Sequence, residues 1–388
     1  MNKDTLKLKF EEKFNNSGEF RYYFSPGRIN VIGEHIDYNG GLVFPCAISL
    51  GTYAVVLPRN DKKVNLYSEG ISVNDIESFN LNDVLVKEDN WLDYVKAVVS
   101  EIKKMGFIID KGFDAYIYGN LPRGASVSSS ASLELLFAEI IRDLHNLQLT
   151  DLELVKICQR AENNFVGLRC GIMDQFAIGM SKKNNAILLD CSSIEYEYVP
   201  LELKDNVILI MNTNKSRTLV TSKYNERCDE CAQGLKLIKD NYKNVNYLCE
   251  LKEEDLQQIK NIITDETIYK RVHHVVSEMD RVRKTYTALN EGNLALVGQL
   301  LNASHKSLKE DYEVTGLELD TIVELAQKVK GVLGARMIGA GFAGCAIAIV
   351  QKDAVETVKE QVSKGYREII GYDCDILVAE TNDRTKRI

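Results

Sequence analysis

Hydrophobic residues recur at helical spacing directly after a run of small and polar residues at 121–132, which reads LPRGASVSSSAS. The apolar positions that follow this run are Leu133, Leu136, Phe137, Ile140 and Leu144. Such spacing indicates one buried face of a helix. The serines therefore fall at, or just inside, the first turn of that predicted helix.

The same periodicity predicts elements along the rest of the chain. Apolar runs predict strands at 21–32 (interrupted by Pro26 and Gly27), 43–57, 64–67, 186–190, 207–211, 335–337, 346–350 and 376–378. Helical spacing predicts helices at 91–105, 218–239, 256–263, 267–290 and 317–327, and another that begins with a capping-box pattern, Thr150 to Glu153. Near 195–205 the chain becomes helix-rich and charged. We therefore predict two domains, residues 1–199 and 200–388.

The composition is that of a globular protein, with 388 residues of which 45% are hydrophobic and 27% charged. The net charge of -8 makes nucleic acid an unfavourable partner. The nine cysteines follow no disulfide framework, and the single pair Cys228-x-x-Cys231 is interpreted as helix-packing thiols. No stretch is long and apolar enough to span a membrane, so we expect a cytoplasmic protein without a membrane partner.

The run at 121–132 has the chemistry of a phosphate-binding loop. Gly124, Ala125 and Ser126 are small enough for a tight turn. The N–H groups that follow them are unpaired at a helix N-terminus, where an anion is attracted. The three serines at 128–130 add hydroxyl groups. The alternative is a serine-rich helix cap without a ligand.

A second polar loop, GEHIDYNGG, occupies residues 33–41. It places Glu34, His35, Asp37 and Asn39 within six positions. That density of donors and acceptors suits a polyol, whose hydroxyls must each find a partner. The alternatives are a solvated turn and, less well supported by a single histidine, a metal site.

Two carboxylates stand in otherwise apolar surroundings. Glu162 lies beside the buried stripe of the helix that begins at Thr150, so we expect a cation partner (Lys, Arg or Mg²⁺) unless the side chain turns to solvent. Asp174 lies within CGIMDQFAIGM, where it can accept a proton, pair with arginine or cap a helix. The only tryptophan, Trp91, either packs in the core or stacks on adenine.

The segment GAGFAG at residues 339–344 matches the dinucleotide-binding pattern G-x-G-x-x-G. That pattern must open a helix, whereas here the glycines lead into CAIAIV, which has the character of a strand. We therefore predict a tight turn between two strands, which closes over a ligand.

Four segments in this order, PGRINVIGEHIDYNGGLVFP, LPRGASVSSSASLE, CGIMDQ and RMIGAGFAGC, resemble the galactokinases. These belong to the GHMP superfamily, which also includes homoserine, mevalonate and phosphomevalonate kinases. The resemblance covers essentially the whole chain. It implies a two-domain α+β fold with mixed and antiparallel sheets packed with helices, and an active site in the cleft between the domains. The implied reaction is transfer of the ATP γ-phosphoryl group to the anomeric C1 hydroxyl of galactose.

The resemblance also implies roles for individual residues. Asp174 is the catalytic aspartate, as a base or only as an orienter of the hydroxyl, and Arg28 stabilises charge beside it. The sugar-lining residues are Glu34, His35, Asp37, Gly171 and Tyr224. The phosphate loop comprises Gly124, Ala125, Ser126, Val127, Ser128, Ser129 and Ser130. Ser130 and Glu162 serve Mg²⁺, and Trp91 lies near adenine. The expected partners are galactose and ATP, and the expected state is a monomer or weak oligomer.

The chain departs from the family pattern at several positions. They are Ile36, Ser126, Val127, Ile338, Ala340 and Ala343. A Cβ atom at Ser126 or Ala340 would matter if the backbone there approaches phosphate or needs positive φ. Because Ile36 adjoins the sugar loop, a kinase for N-acetylgalactosamine or arabinose is one alternative. A galactose and ATP sensor without catalysis is another, although Ser129, Ser130 and Ala131 of the Ser-Ser-Ala stretch are in place.

Overall fold

The computed structural model describes residues 2–72, 75–122, 127–168, 170–215 and 220–388. Within them the helices are α1 (Lys3–Phe14), α2 (Leu92–Lys104), α3 (Ser129–His145), α4 (Asp151–Ala161), α5 (Met173–Met180), α6 (Val220–Ile238), α7 (Leu256–Ile262), α8 (Glu266–Asn290), α9 (Leu294–Glu310), α10 (Leu317–Lys328) and α11 (Val355–Ile370). The strands are β1 (Arg21–Asn30), β2 (Leu42–Val43), β3 (Pro45–Pro58), β4 (Lys63–Ser68), β5 (Glu77–Asn80), β6 (Phe113–Gly119), β7 (Asn185–Asp190), β8 (Tyr196–Pro200), β9 (Asn206–Asn212), β10 (Val332–Met337), β11 (Cys345–Gln351), β12 (Asp375–Ala379) and β13 (Lys386–Arg387). The mixed α+β class predicted from the sequence is confirmed.

The larger sheet belongs to the first half of the chain and has the strand order β13-β1-β3-β6-β4-β5. All its pairs are antiparallel except β4 with β6. The predicted interruption at Pro26 and Gly27 is a shift of register within a continuous β1. Helix α3 packs across β1 and β3 and joins α2, α4 and α5 in one layer of helices.

The second half is built on a four-stranded antiparallel sheet with the order β10-β11-β9-β12. Helices α9 and α10 pack on β10, and α8 packs on α9 and α6. A small sheet of β2, β7 and β8 packs against α8. This contact connects the two halves of the chain. The predicted domain division between residues 199 and 200 falls inside β8, before its last residue, and stays a prediction. However, β13 pairs with β1, so the end of the chain completes the first sheet.

Most predicted elements are present with small differences at their ends. Thr150 and Glu153 form the predicted capping box at the start of α4. Helix α6 covers 220–238 of the predicted 218–239, and residues 216–219 lie outside the described part of the chain. Helices α5, α9 and α11 and strands β5, β6, β8 and β13 were not predicted. No helix in the described residues is both long and apolar enough to cross a membrane.

The glycine segment at 339–344 is the predicted turn, since it joins β10 to its antiparallel neighbour β11. Gly341 has φ +74°, and a Cβ atom there would stand 2.2 Å from the Val314 carbonyl oxygen. Phe342 also has positive φ, and its N–H donates to the same oxygen at 2.6 Å. The turn is therefore pressed against the segment after α9.

Candidate active site

Arg28, Asp174 and Ser128 meet at the junction of β1, α5 and α3. The Arg28 Nε donates to Asp174 Oδ1 at 2.9 Å, and the Ser128 hydroxyl donates to Oδ2 at 2.5 Å. Arg28 is buried, whereas one third of the Asp174 side chain is exposed. Both bonds to the carboxylate thus come from the protein, while part of the carboxylate remains exposed to solvent. Charge-assisted bonds of this kind fix a carboxylate in one orientation.

The path of β1 brings Arg28 to this place. At the register shift, a Cβ atom on Gly27 would stand 2.9 Å from the Val127 carbonyl oxygen and 2.6 Å from Leu121. Glycine therefore lets the segment before α3 approach the strand closely. The Arg28 N–H donates to the same Val127 oxygen at 3.2 Å, which ties the serine segment to β1.

Ser128 stands at the N-cap position of α3, yet its side chain makes no capping bond. It has the left-handed conformation (φ 58°) and donates to Asp174 instead. The alternative of a purely structural serine cap is therefore wrong for Ser128. Val127 is buried, Ser129 is exposed and Ser130 is partly exposed. The predicted loop residues Gly124, Ala125 and Ser126 lie outside the described residues.

The loop at 33–41 turns its polar groups inward, so the alternative of a solvated turn is wrong. Glu34 is 2% exposed and accepts from the Arg336 guanidinium at 2.6 Å, the Gly339 N–H at 2.8 Å and the Asn30 amide at 3.1 Å. Burial raises the pKa of Glu34, against the lowering effect of Arg336 and Arg28. Both carboxylate oxygens are thus held by the protein.

His35 is also held by protein partners. Its Nδ1 lies 2.9 Å from the Tyr38 hydroxyl and its Nε2 lies 3.2 Å from the Ala340 carbonyl oxygen. Burial lowers the pKa of His35 to about 3, so the ring is neutral near pH 7. A neutral ring that donates from Nε2 and accepts at Nδ1 satisfies both contacts. Its predicted contact with sugar would therefore use the ring rather than a free nitrogen.

Asp37, Gly171 and Tyr224 lie together beside this histidine. A Cβ atom on Gly171 would stand 2.8 Å from Asp37 Oδ2, so only glycine leaves that carboxylate room. The Tyr224 ring lies 5.6 Å from the His35 ring. Burial, then the neighbouring Glu34 and Asp174 carboxylates, raise the pKa of Asp37 to about 7. The structure thus brings the predicted sugar residues close to one another and to Asp174.

Glu162 begins a π-helical turn, Glu162–Val166, at the end of α4 and is 3% exposed. Its Oε2 accepts from the Gln175 amide at 2.6 Å and from the Cys170 thiol at 3.2 Å. Burial raises the pKa of Glu162, and Asp174 raises it further, while a bond from Ser130 lowers it. The alternative of a solvent-facing Glu162 is therefore wrong.

Among the described residues, Glu162 has no ion pair with lysine or arginine. Its neighbour Glu134 is completely buried, with one carboxylate oxygen that has no partner in the described part of the chain. A buried carboxylate without a cation, next to a serine hydroxyl, fits Mg²⁺, which uses one or two carboxylates and takes its other ligands from water and phosphate. The described residues offer no group of three or more His, Cys, Asp or Glu side chains for a metal enclosed by protein.

Trp91 precedes α2, is partly exposed, packs against the main hydrophobic core and donates from its Nε1 to Glu77 at 2.7 Å. Helix α2 packs against the π-helical turn, and its Tyr94 lies near Glu162. Its proximity to adenine stays a prediction.

The residues at which the chain departs from the family pattern differ in burial and backbone conformation from what the sequence led us to expect. Ile36 is fully buried, so its side chain is not presented to the cleft. Ile338 and Ala343 are also buried. The positive-φ positions of the glycine turn are Gly339, Gly341, Phe342 and Gly344, and Ala340 is not among them. The expected backbone strain at Ala340 is therefore absent.

Several residues that shape this site were not predicted from the sequence. They are Gln175, Tyr38, Glu278, Tyr312 and Arg336. Tyr38, Gln175 and Arg336 lie inside the family motifs, which is a signal that the sequence provides. Glu278 lies in a charged helix with no motif, and no signal in the sequence identifies it.

Three sequence-family models match this chain: the galactokinase galactose-binding signature at residues 8–58, the GHMP kinases N-terminal domain at 93–182 and the GHMP kinases C-terminal domain at 285–368. A curated galactokinase of Lactiplantibacillus plantarum is 50% identical over 389 residues, which cover 100% of each chain. The crystal structure of Lactococcus lactis galactokinase complexed with galactose is 48% identical, has a TM-score of 0.94 and covers 99% of each chain. A mevalonate kinase structure is similar in fold, with 18% identity, a TM-score of 0.67 and coverage of 94% of this chain and 100% of its own.

Proposed function

Since the chain belongs to the galactokinase family of GHMP kinases, we propose that it transfers the γ-phosphoryl group of ATP to the C1 hydroxyl of galactose, giving galactose 1-phosphate. The observation that carries this proposal is the Arg28–Asp174 pair, whose partly exposed carboxylate lies near enough to Asp37 of the polar loop to raise the pKa of that residue. A polyol-binding wall beside a partly exposed carboxylate is what a sugar kinase needs.

Asp174 is the group that meets the C1 hydroxyl. Its carboxylate is fixed by Arg28 and Ser128 but remains partly exposed, so a sugar hydroxyl can donate to it. In this position Asp174 takes the proton as phosphoryl transfer proceeds, or it only orients the hydroxyl for a loose transition state. Arg28 contributes positive charge beside the reacting oxygen in either case.

In this proposal the phosphates of ATP bind at the N-terminus of α3. Its unpaired N–H groups and the hydroxyls of Ser129 and Ser130 attract the anion, whereas the predicted loop residues Gly124, Ala125 and Ser126 lie outside the described part of the chain. Ser130 and Glu162 would hold Mg²⁺, which supplies positive charge against the phosphate oxygens when it is bound. Positioning and charge neutralisation are the main demands of phosphoryl transfer.

In the same proposal the sugar binds against Glu34, His35, Asp37, Gly171 and Tyr224. Because Gly171 has no side chain, the space beside the Asp37 carboxylate is free. A carboxylate in such a position can accept from the hydroxyl groups of a pyranose. We also propose that the protein works as a monomer or weak oligomer in the cytoplasm, where its nine free thiols would stay reduced.

The decisive experiment compares Asp174→Asn with the wild type in ADP release from Mg-ATP. Turnover with galactose should fall by about 10²-fold or more, because asparagine cannot accept the proton or pair with Arg28. Asp143→Asn is the matched control, since Asp143 also pairs with an arginine (Arg21, 2.9 Å) on β1 but lies outside the site. Its turnover should stay within about twofold of the wild type.

The same assay with N-acetylgalactosamine, arabinose and glucose separates the remaining possibilities. If one of these sugars is turned over faster than galactose, that sugar is the substrate in place of galactose. Binding of galactose without turnover of any sugar would indicate a sensor. Near-normal turnover of Asp174→Asn would remove Asp174 from the proposed mechanism.

A further inference from the structure

The polar loop at 33–38, here called the sugar loop, belongs to the first half of the chain but is held by groups from the second half. The Gly33 N–H donates to Glu278 on α8 at 3.0 Å. The Glu34 carbonyl oxygen lies 3.2 Å from His274 Nε2, also on α8. The Glu34 side chain meets Arg336 on β10. Backbone and side chain of the sugar loop are thus both set by the opposite half.

Arg336 is the centre of these contacts and has no exposed surface. One end of its guanidinium pairs with Glu34 at 2.6 Å, and the other lies 3.5 Å from Glu278 and 3.2 Å from the Ser304 hydroxyl. Glu278 has a second cation, because Arg281 donates to it at 2.6 Å. For Glu34, Arg336 is the only arginine or lysine in direct ion-pair contact among the described residues.

In the part of the chain that the structure describes, Glu278 has two arginine partners and Glu34 has one. This difference determines which carboxylate is affected when Arg336 is removed. Removing one partner of a buried ion pair leaves a carboxylate without compensation, which is far less favourable than the loss of an exposed pair. Glu278 would keep Arg281, whereas Glu34 would lose its direct cation. Glu34 would then become protonated or turn away, and in both cases its place in the sugar loop would change.

We propose that Arg336 is a positioning residue for the sugar substrate: it fixes Glu34 directly, and together with Glu278 it fixes the Gly33 backbone. This inference rests on the proposed galactose kinase function. The second half of the chain thereby sets the geometry of the sugar loop without touching the sugar. Arg336 and Glu278 act through the loop and not on the phosphoryl group.

The test is the variant Arg336→Met, which has a similar length but no charge. The KM for galactose should rise about tenfold or more while the KM for ATP stays within about twofold, since the loop and not the phosphate site is disturbed. Thermal-shift titration with galactose alone, without ATP, should show the same loss of binding. This readout does not depend on catalysis.

A pH profile adds a readout that a merely structural role would not move. The charged and titratable groups around Glu34 are Arg336 from β10, Arg28 from β1, His274 and Glu278 from α8, and Asp37 from its own loop. Without Arg336, the pKa of Glu34 rises. The acid limb of kcat/KM for galactose should therefore move about one pH unit or more towards neutral pH in Arg336→Met.

Arg271→Met is the matched control. Arg271 is 1% exposed and pairs with Glu230 at 2.7 Å and Glu313 at 2.8 Å, neither of which lies in the sugar loop. It should lose stability without a change in galactose KM or in the acid limb. An Arg336→Met enzyme with wild-type galactose KM and pH profile would overturn the proposal. Equal increases of galactose KM in both arginine variants would also overturn it.

A second variant covers the case in which Arg336→Met does not fold. Glu278→Gln keeps an acceptor for the Gly33 N–H but removes the charge that faces Arg336 and Arg281, and it should also raise the galactose KM selectively. An unchanged KM in Glu278→Gln would then contradict the proposal. If the wild-type protein binds galactose but does not phosphorylate it, the proposed function is wrong. The positioning role of Arg336 is then tested by the galactose titration alone.

Discussion

At the residue scale, the Ser128 side chain makes a long-range hydrogen bond to Asp174 instead of the local capping bond that its position predicts. A serine before a helix usually accepts from the N–H groups of the first turn. Here its hydroxyl donates to Asp174, which lies 46 positions further along the chain. The helix loses one cap, and the carboxylate gains a second fixed donor. The position of Asp174 is thus shared between a strand residue, Arg28, and the first turn of α3.

Removal of that hydroxyl in Ser128→Ala should lower turnover by about tenfold, since a hydrogen bond to a charged group contributes roughly 1.5–3 kcal/mol. Stability should change by less than about 1 kcal/mol, because no capping bond is lost. Steady-state kinetics and urea unfolding measure the two effects. The control is Ser132→Ala on the same helix, whose buried hydroxyl bonds to the Ser25 carbonyl oxygen at 2.9 Å. That control should lose stability and keep its turnover, and the reverse pattern would contradict this account.

The sequence was informative about those site residues that lie within local motifs. Asp174 and Arg28 could be predicted because a carboxylate among apolar residues needs a cation and because the family motifs supplied the pairing. Arg336 was inside such a motif, but its partner Glu34 lies 302 positions away, and only the fold brings them together. Glu278 had no local signal, since a glutamate in a charged helix is ordinarily solvated.

At the scale of elements, α4 combines a predictable start with an unpredictable end. Thr150 accepts from the Glu153 N–H at 3.2 Å, and Glu153 accepts from the Thr150 N–H at 2.7 Å. The sequence encodes this capping box directly. The π-helical turn at the other end inserts an extra residue beside Glu162, and such turns are frequent at functional sites. No residue type in ENNFV distinguishes it from an ordinary helix.

Thr150→Ala should therefore reduce the free energy of unfolding by about 1 kcal/mol, the usual value of an N-cap. Turnover should be unaffected, because the cap lies at the opposite end of α4 from Glu162. Urea denaturation of the two proteins measures the difference. Thr267→Ala in the first turn of α8 is the control, since Asp265 already caps that helix. An equal loss in both variants would mean that threonine removal, and not the cap, is responsible.

Helices α9 and α11 were not predicted from the sequence. The physical reason is visible in α9. Glycine in a helix weakens the helical signal, and α9 contains Gly298. In the fold, a Cβ atom at Gly298 would stand 2.2 Å from the Leu333 carbonyl oxygen of β10. The glycine is there because the helix lies close against the strand. Tertiary packing thus explains a residue that disfavours the helix locally.

At the scale of the whole molecule, the two halves share a buried polar interior at the sugar loop. His35 and His274 are both neutral there, because burial lowers the pKa of His35 to about 3 and that of His274 to about 4. In the unfolded chain, histidine takes up a proton near pH 6.5. The unfolded state therefore binds more protons than the native state below that pH, and acid favours unfolding.

Stability should be complete above about pH 6.5 and should fall towards pH 4, at up to about 1.4 kcal/mol per pH unit for each histidine. Urea unfolding at pH 7, 6 and 5 measures the slope. His274→Gln should have a shallower slope than the wild type by about one proton. An unchanged slope in His274→Gln would show that His274 is not buried in the neutral form.

The pairing of β13 with β1 has a consequence for biosynthesis. Ser25 and Thr385, whose hydroxyls lie 2.8 Å apart, are separated by 360 positions. At about 5–20 residues per second, the ribosome needs tens of seconds to deliver the second after the first. Throughout that time the nascent β1, which carries Arg28, has one unpaired edge. A chaperone that shields exposed strand edges would therefore have its natural target in the strand that carries Arg28.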